Sequence, residues 1–170
     1  MLLLTGKPGT GKTAIIREAV TTAKINAGGF YTEEIRVGGI RQGFRIVTID
    51  GREAVLAHVN ISSPYQVSKY KVDIDNLNRL GVSALRQALE ASDLIIVDEI
   101  GKMELLSPQF RKVVLQAIES GKRVLGTIML NSHPFTDEVK RHPEVKTLMV
   151  TRANYSAVLK EVLEWLAGGA

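Results

Sequence analysis

The chain has 170 residues, 45% of them hydrophobic and 24% charged, a composition that can bury a core and argues against disorder. Its 22 Lys and Arg against 18 Asp and Glu leave +4, too mild a surplus to imply nucleic acid, and no basic–aromatic interleaving of a single-strand clamp is present. The absence of cysteine excludes disulfides and thiolate metal sites and fits a reducing cytoplasm. No apolar run approaches a membrane span, and no basic segment opens the chain as in a signal peptide.

In chain order, Met1 to Leu4 is an apolar run suited to a buried strand. Gly6-Lys7-Pro8-Gly9-Thr10-Gly11-Lys12-Thr13 follows, matching G-x-x-x-x-G-K-[ST], the P-loop or Walker A pattern. From Thr13, residues Ala14, Ile15, Ile16, Ala19, Val20 and Ala23 recur at helical spacing, with Gly28-Gly29 as the expected stop. Strand, glycine loop and helix start aim successive backbone N–H groups at one point, at the positive end of a helix dipole. A nucleotide polyphosphate is the expected occupant. Gly6, Gly9 and Gly11 admit the dihedrals this requires, Lys12 reaches the β- and γ-phosphates, and the Thr13 hydroxyl is placed to ligate Mg²⁺.

Phe30 to Val37 reads as a strand, Gly38-Gly39 as a turn and Phe44 to Ile49 as the hairpin partner, with Ala54 to Val59 as a third antiparallel strand after the Asp50-Gly51 turn. Asn60 to Arg79 is polar and irregular and is expected as loop. Val82, Leu85, Ala88 and Leu89 mark a short helix, and Leu94 to Val97 is continuous apolar, as in a strand buried on both faces. Ser107 is an N-cap before Pro108, and Phe110, Val113, Val114, Ala117 and Ile118 stripe a helix closed by Gly121. Val124 to Leu130 and Val145 to Val150 are further strands. Asn154 caps a last helix carrying Val158, Leu159, Val162, Leu163 and Leu166. The expected fold is a single α/β domain over residues 1–167 with a frayed tail at 168–170. It is a doubly wound, mostly parallel sheet carrying an early antiparallel hairpin.

An acid at the end of a buried strand is the next requirement of a P-loop site. Asp98 stands there, where a Walker B aspartate holds the Mg²⁺ hydration shell with Thr13. Glu99 follows, placed to orient or deprotonate an attacking water beside Lys12, or else a solvated strand-end residue. No obvious basic lid follows Gly101, which favours water as nucleophile over the acceptor hydroxyl of a nucleotide or metabolite kinase. A nucleotide-dependent switch is a third reading. With Glu99 as base, Val124 to Leu130 should lie between the P-loop strand and the Asp98 strand; direct pairing of residues 1–4 with 94–97 would favour the kinase.

Weaker candidates carry a functional and a structural reading each. Arg36, Arg41, Arg45 and Arg52 crowd the hairpin, as a phosphate-facing wall, as a source of a charge-stabilising arginine, or as solvated edge guards. Lys102 and Glu104 either order the water site or share an exposed turn. Thr127 is a γ-phosphate sensor or a satisfied core hydroxyl. Arg152 is placed to meet base or phosphates. His133 and His142, each before a proline, read as loop residues, and Tyr31, Tyr65, Tyr70 and Phe135 as base-stacking or core aromatics.

Gly29-Phe30-Tyr31-Thr32-Glu33-Glu34-Ile35-Arg36, Arg41-Gln42-Gly43-Phe44, Tyr70-Lys71-Val72-Asp73 and Asp98-Glu99-Ile100-Gly101-Lys102-Met103-Glu104-Leu105 occur in that order after the P-loop. Together they resemble a family of small P-loop nucleoside-triphosphatases named from thermophilic bacteria, with an animal relative, cancer-related nucleoside-triphosphatase. The resemblance spans nearly the whole chain. It implies Mg²⁺-dependent hydrolysis of ATP, GTP, CTP and UTP to diphosphates, with slow turnover. Carried over by position, it makes Gly6, Lys7, Pro8, Gly9, Thr10, Gly11, Lys12 and Thr13, and Leu94, Ile95, Ile96, Val97, Asp98, Glu99, Ile100 and Gly101, the nucleotide-binding stretches. Neither nucleic acid nor membrane is expected as a partner, and no protein partner is indicated.

Overall fold

The computed structural model describes residues 1–168, so the last two residues of the expected tail lie outside the described residues. A nine-stranded sheet runs through the molecule. Its strands in chain order are β1 (Leu2–Thr5), β2 (Ala27–Val37), β3 (Ile40–Thr48), β4 (Glu53–His58), β5 (Gln66–Val67), β6 (Tyr70–Val72), β7 (Leu94–Ile100), β8 (Arg123–Ile128) and β9 (Lys146–Met149). In space the order is β5-β6-β4-β3-β2-β7-β8-β1-β9. The pairings from β2 through β7, β8 and β1 to β9 are parallel, and those from β2 outward to β5 are antiparallel. The hairpin read from the sequence is therefore the start of a longer antiparallel wing. β8 stands between β1 and β7, as the hydrolase arrangement requires: Leu3 lies opposite Gly126 and Ile95 opposite Val124.

Alternation along the central strands builds a core on each face. Leu2, Leu4, Leu94 and Ile96 point to the face covered by α1 (Lys12–Ala23) and α6 (Tyr155–Leu166), with Ile15, Ile16, Ala19, Val158 and Val162. Leu3, Ile95 and Val97 point to the other face. There α2 (Ile74–Asn76) runs through the π-helical turn Leu77–Val82 into α3 (Ser83–Ala91), beside α4 (Pro108–Glu119) and α5 (Pro134–Arg141). A run buried on both faces has to be continuously apolar, which is why β7 reads so clearly.

The structure moves several expected boundaries. Helix α1 stops at Ala23, where Lys24 takes a left-handed conformation (φ 53°) and its N–H reaches the Val20 carbonyl. Gly28-Gly29 does not end the helix but lies in β2. A side chain at Gly28 would meet Ala88 Cβ at 2.8 Å, and one at Gly29 would collide with the Ile96 carbonyl oxygen, so both glycines let β2 approach its neighbours. The expected loop Asn60 to Arg79 holds β5, β6, α2 and the start of the π-helical turn. Asp73 caps α2 by accepting from the Asn76 N–H at 2.8 Å, while Tyr70, Val72 and Leu77 are buried. Helix α5 has no counterpart in the sequence reading. His133, expected in a loop, is its N-cap, its Nδ1 accepting from the Phe135 N–H at 3.1 Å; His142 follows its end and accepts from the Glu144 N–H.

Candidate functional site

At the C-terminal edge of the parallel strands the chain leaves β1 through Gly6 and enters α1 through Gly11. Gly6, Gly9 and Gly11 have φ of 146°, 77° and 95°, values open to glycine and strained for other residues. Lys12 donates to the carbonyl oxygens of Gly6 and Lys7, both at 2.9 Å, which holds its ammonium within the curve of the loop. The Thr10 hydroxyl donates to the Lys7 carbonyl at 3.0 Å and closes the turn. Lys7, Pro8 and Gly9 form its exposed crown. Two surface clefts of about 260 and 500 Å³ lie elsewhere, around Trp165 and Arg123, and share no residue with this loop.

Asp98 is brought to the loop by β7 and is 2% exposed. Its Oδ2 accepts from the Thr13 hydroxyl at 2.7 Å and its Oδ1 from the Thr127 hydroxyl at 2.6 Å. Thr127 is thus a buried donor to the acid. Burial pushes the Asp98 carboxyl above its ordinary range, against those two bonds and the positive charges of Arg17 and Lys12. Burial lowers the Lys12 ammonium, with Glu99 and Asp98 acting the other way. Leu94, Ile95, Ile96 and Val97 are themselves buried in the two cores; they carry Asp98 to the edge and present no surface to a ligand.

Glu99 is partly buried beside Asp98, and its carboxyl is raised by burial, then by the Asp98 charge, with Lys12 opposing. It folds over Gly101, where a Cβ would sit 2.5 Å from Glu99 Oε1. Ile100 is buried. Lys102 is exposed and Glu104 is 4% exposed, so the two do not share an exposed turn. Burial, then the charges of Glu99 and Asp98, push Glu104 well above the carboxylate range, against the N–H groups of Glu104 and Gly101.

Three of the four hairpin arginines are engaged with acids of the hairpin. Arg36 and Arg41 meet Glu34 at 2.7 and 3.1 Å, Arg41 also donates to the Tyr70 hydroxyl, and Arg52 meets Asp50 at 3.1 Å. Arg45 lies opposite Glu33 in the β2–β3 register. Tyr70 packs edge-on against Phe44, Phe135 packs on the core, Tyr65 is exposed, and Tyr31 lies under the Arg17 guanidinium at 4.5 Å. Sequence reasoning missed Arg17 as a site neighbour. It stands one turn after Thr13 on α1 and meets Glu33 at 2.6 Å, and its i, i+4 spacing from Thr13 was the available signal. Asn154 stands at the N-cap position of α6 as expected, but its side chain makes no capping bond and instead binds back to the Thr151 N–H and the Met149 carbonyl.

No helix of the described residues is long and apolar enough to cross a membrane. An NTPase family model matches residues 1–163. The nucleoside-triphosphatase THEP1 of Thermotoga maritima is 46% identical over 97% of this chain and 94% of its own length. The human cancer-related nucleoside-triphosphatase is 35% identical over 95% and 94%. Among solved structures, THEP1 from Aquifex aeolicus superimposes with a TM-score of 0.88 at 34% identity, over 99% of this chain and 100% of that one. The solution structure of the human protein gives 0.82, also at 34% identity, over 97% and 96%. With its glycine loop, its buried Asp98 and nearly its whole length so matched, the chain belongs to the NTPase family of P-loop proteins.

Proposed function

We propose that this chain is a nucleoside-triphosphatase that hydrolyses nucleoside 5′-triphosphates (ATP, GTP, CTP and UTP alike) to the diphosphate and phosphate, slowly and with Mg²⁺. The observation that carries the reading is the buried Asp98 tied to Thr13 at 2.7 Å, with Glu99 next to it, on a strand that β8 separates from β1. A kinase arrangement is not favoured by that strand order or by the relatives, whose names are those of triphosphatases. A chain without cysteine fits a cytoplasmic setting.

The residues present suit Mg²⁺. Thr13 and Asp98 offer hard oxygen donors, and among the described residues no group of three or more His, Cys, Asp or Glu forms a protein cage. That is the pattern for an ion that keeps its waters and binds through one or two protein oxygens and phosphates. When bound, Mg²⁺ supplies charge neutralisation at the β- and γ-phosphate oxygens. The backbone N–H groups of Gly9 to Thr13 orient the polyphosphate and Lys12 offsets its charge. Glu99 takes a proton from water as the water oxygen bonds to the γ-phosphorus, and the bond to the β–γ bridging oxygen breaks, releasing the diphosphate. The raised basicity of Glu99 suits that transfer. With Arg36, Arg41 and Arg52 held by acids, turnover lacks a free arginine from those positions, a group worth roughly 10³–10⁵-fold in such enzymes. A partner supplying one would raise the rate.

Phosphate release from each of the four triphosphates, with Mg²⁺ and no acceptor, tests this on the wild type and Glu99→Gln. Release from several nucleotides, lost in the variant while binding persists, is expected. No release from any of them would overturn the hydrolase reading.

A further inference from the structure

The connection from β9 to α6 lies against the P-loop on the side away from β7. The Val150 N–H donates to the Thr5 carbonyl at 2.8 Å, and a side chain at Gly6 would strike the Val150 carbonyl oxygen. A Cβ at Gly11 would lie 2.9 Å from the Tyr155 ring, and one at Gly9 would lie 4.0 Å from Arg152 Nη2. The three loop glycines thus face three residues of one short segment.

Asn154 fixes that segment. Its Oδ1 accepts from the Thr151 N–H at 2.7 Å and its Nδ2 donates to the Met149 carbonyl at 2.8 Å, while the Thr151 hydroxyl accepts from the Ala153 N–H. The Tyr155 hydroxyl donates to Glu18 at 3.1 Å and ties α6 to α1. Arg152 projects from the tip of this turn over the loop crown. Among the described residues it makes no hydrogen bond or ion pair, unlike Arg36, Arg41 and Arg52 of the hairpin.

The strand order sorts the two ends of a bound nucleotide. Asp98 and Glu99 arrive on β7, two strands from β1 on one side, and Arg152 arrives after β9 on the other. With the reacting γ-phosphate on the β7 side, the nucleoside faces the β9 side. We infer that Arg152 grips the nucleoside half of the substrate by laying its guanidinium plane on the base. Every base has a π face, so this contact accepts any base, the larger purines most strongly, and sets a preference for nucleotides over bare polyphosphate. The inference rests on the nucleoside-triphosphatase reading.

Calorimetric titration of wild type, Arg152→Ala and Arg152→Lys with the β,γ-imido analogues of ATP, GTP and UTP tests it without turnover. Inorganic tripolyphosphate is the probe that lacks a base. Arg152→Ala should weaken all three analogues about tenfold, purines most, and leave tripolyphosphate unmoved. Arg152→Lys should fall nearly as far, because an ammonium keeps the charge and loses the plane. Full rescue by lysine, or an equal loss on tripolyphosphate, would make Arg152 a phosphate contact and overturn the proposal. Unchanged affinities, or a loss confined to one base, would overturn it too. Tight analogue binding by a wild type that releases no phosphate would count against hydrolysis and not against Arg152.

Discussion

Thr127→Val removes one atom group from the centre of the site and leaves its shape. The hydroxyl donates to Asp98 Oδ1 at 2.6 Å, and the two residues are 1% and 2% exposed, so no water replaces it readily. A hydrogen bond to a charged acceptor contributes about 1.5–3 kcal/mol. In a chain of this size that corresponds to a fall in Tm of about 3–12 °C. The loss depends on pH with a definite sign. The Thr127 bond is the largest influence holding the Asp98 pKa down against burial, so it stabilises the ionised carboxylate. The deficit of the variant is therefore full at pH values above the raised Asp98 pKa, and it shrinks as pH falls through that pKa and the carboxyl protonates. An acid that is harder to ionise also binds a cation less well, and the Mg²⁺ concentration for half-maximal phosphate release should rise about 10- to 100-fold. Melting curves across pH and a Mg²⁺ titration measure both, with Thr127→Ser as the variant that restores the hydroxyl. A Tm deficit of equal size at all pH values, or a Mg²⁺ requirement unchanged in Thr127→Val, would refute the reasoning.

Three further substitutions follow from the same structure. Glu104 has a raised pKa, so the stability it contributes is fully present below about pH 4.3, the ordinary glutamate value, and is lost as pH rises through its raised pKa. Glu104→Gln stays neutral and should lose less Tm than wild type between pH 4 and pH 9; parallel Tm–pH curves would show that the buried acid is not the source. Gly6→Ala forces a side chain into the Val150 carbonyl at φ 146° and should cost about 3 kcal/mol in denaturant unfolding, together with most nucleotide affinity. Gly38→Ala sits at φ 59° with open space around it and should cost only about 1 kcal/mol, with nucleotide affinity kept.

The features that sequence reading recovered share a physical property: their chemistry is set by neighbours in the chain. Gly6 to Thr13 can cradle phosphates only as a contiguous loop, and Asp98 is marked because it ends a run that both faces of the sheet need apolar. The errors fall where one residue type serves two purposes and a distant partner chooses between them. Gly28-Gly29 reads as a helix stop until Ala88 and Ile96 show why β2 has no room for side chains there. Gly81 lies within a continuous helical run from residue 74 to 91, where an added side chain would come within 3.5 Å of the Phe30 ring. Helix α5 is short, and its signals were a Pro134 start, Asp137 in the first turn and Lys140 and Arg141 in the last, with Val139 its one buried aliphatic side chain. The site followed the same division. Glu104 and Lys102 are two residues apart, and only the fold decides that one is buried within reach of the Glu99 charge and the other faces water. Arg17 and Glu33 are sixteen positions apart, and only the fold brings the guanidinium from α1 to the carboxylate on β2. Arg152 and Gly9 are brought together by β9 lying beside β1, a pairing that no local pattern carries. What the chain cradles was therefore written locally, and what surrounds the cradle, including the residue we assign to the base, was written in the order of the strands.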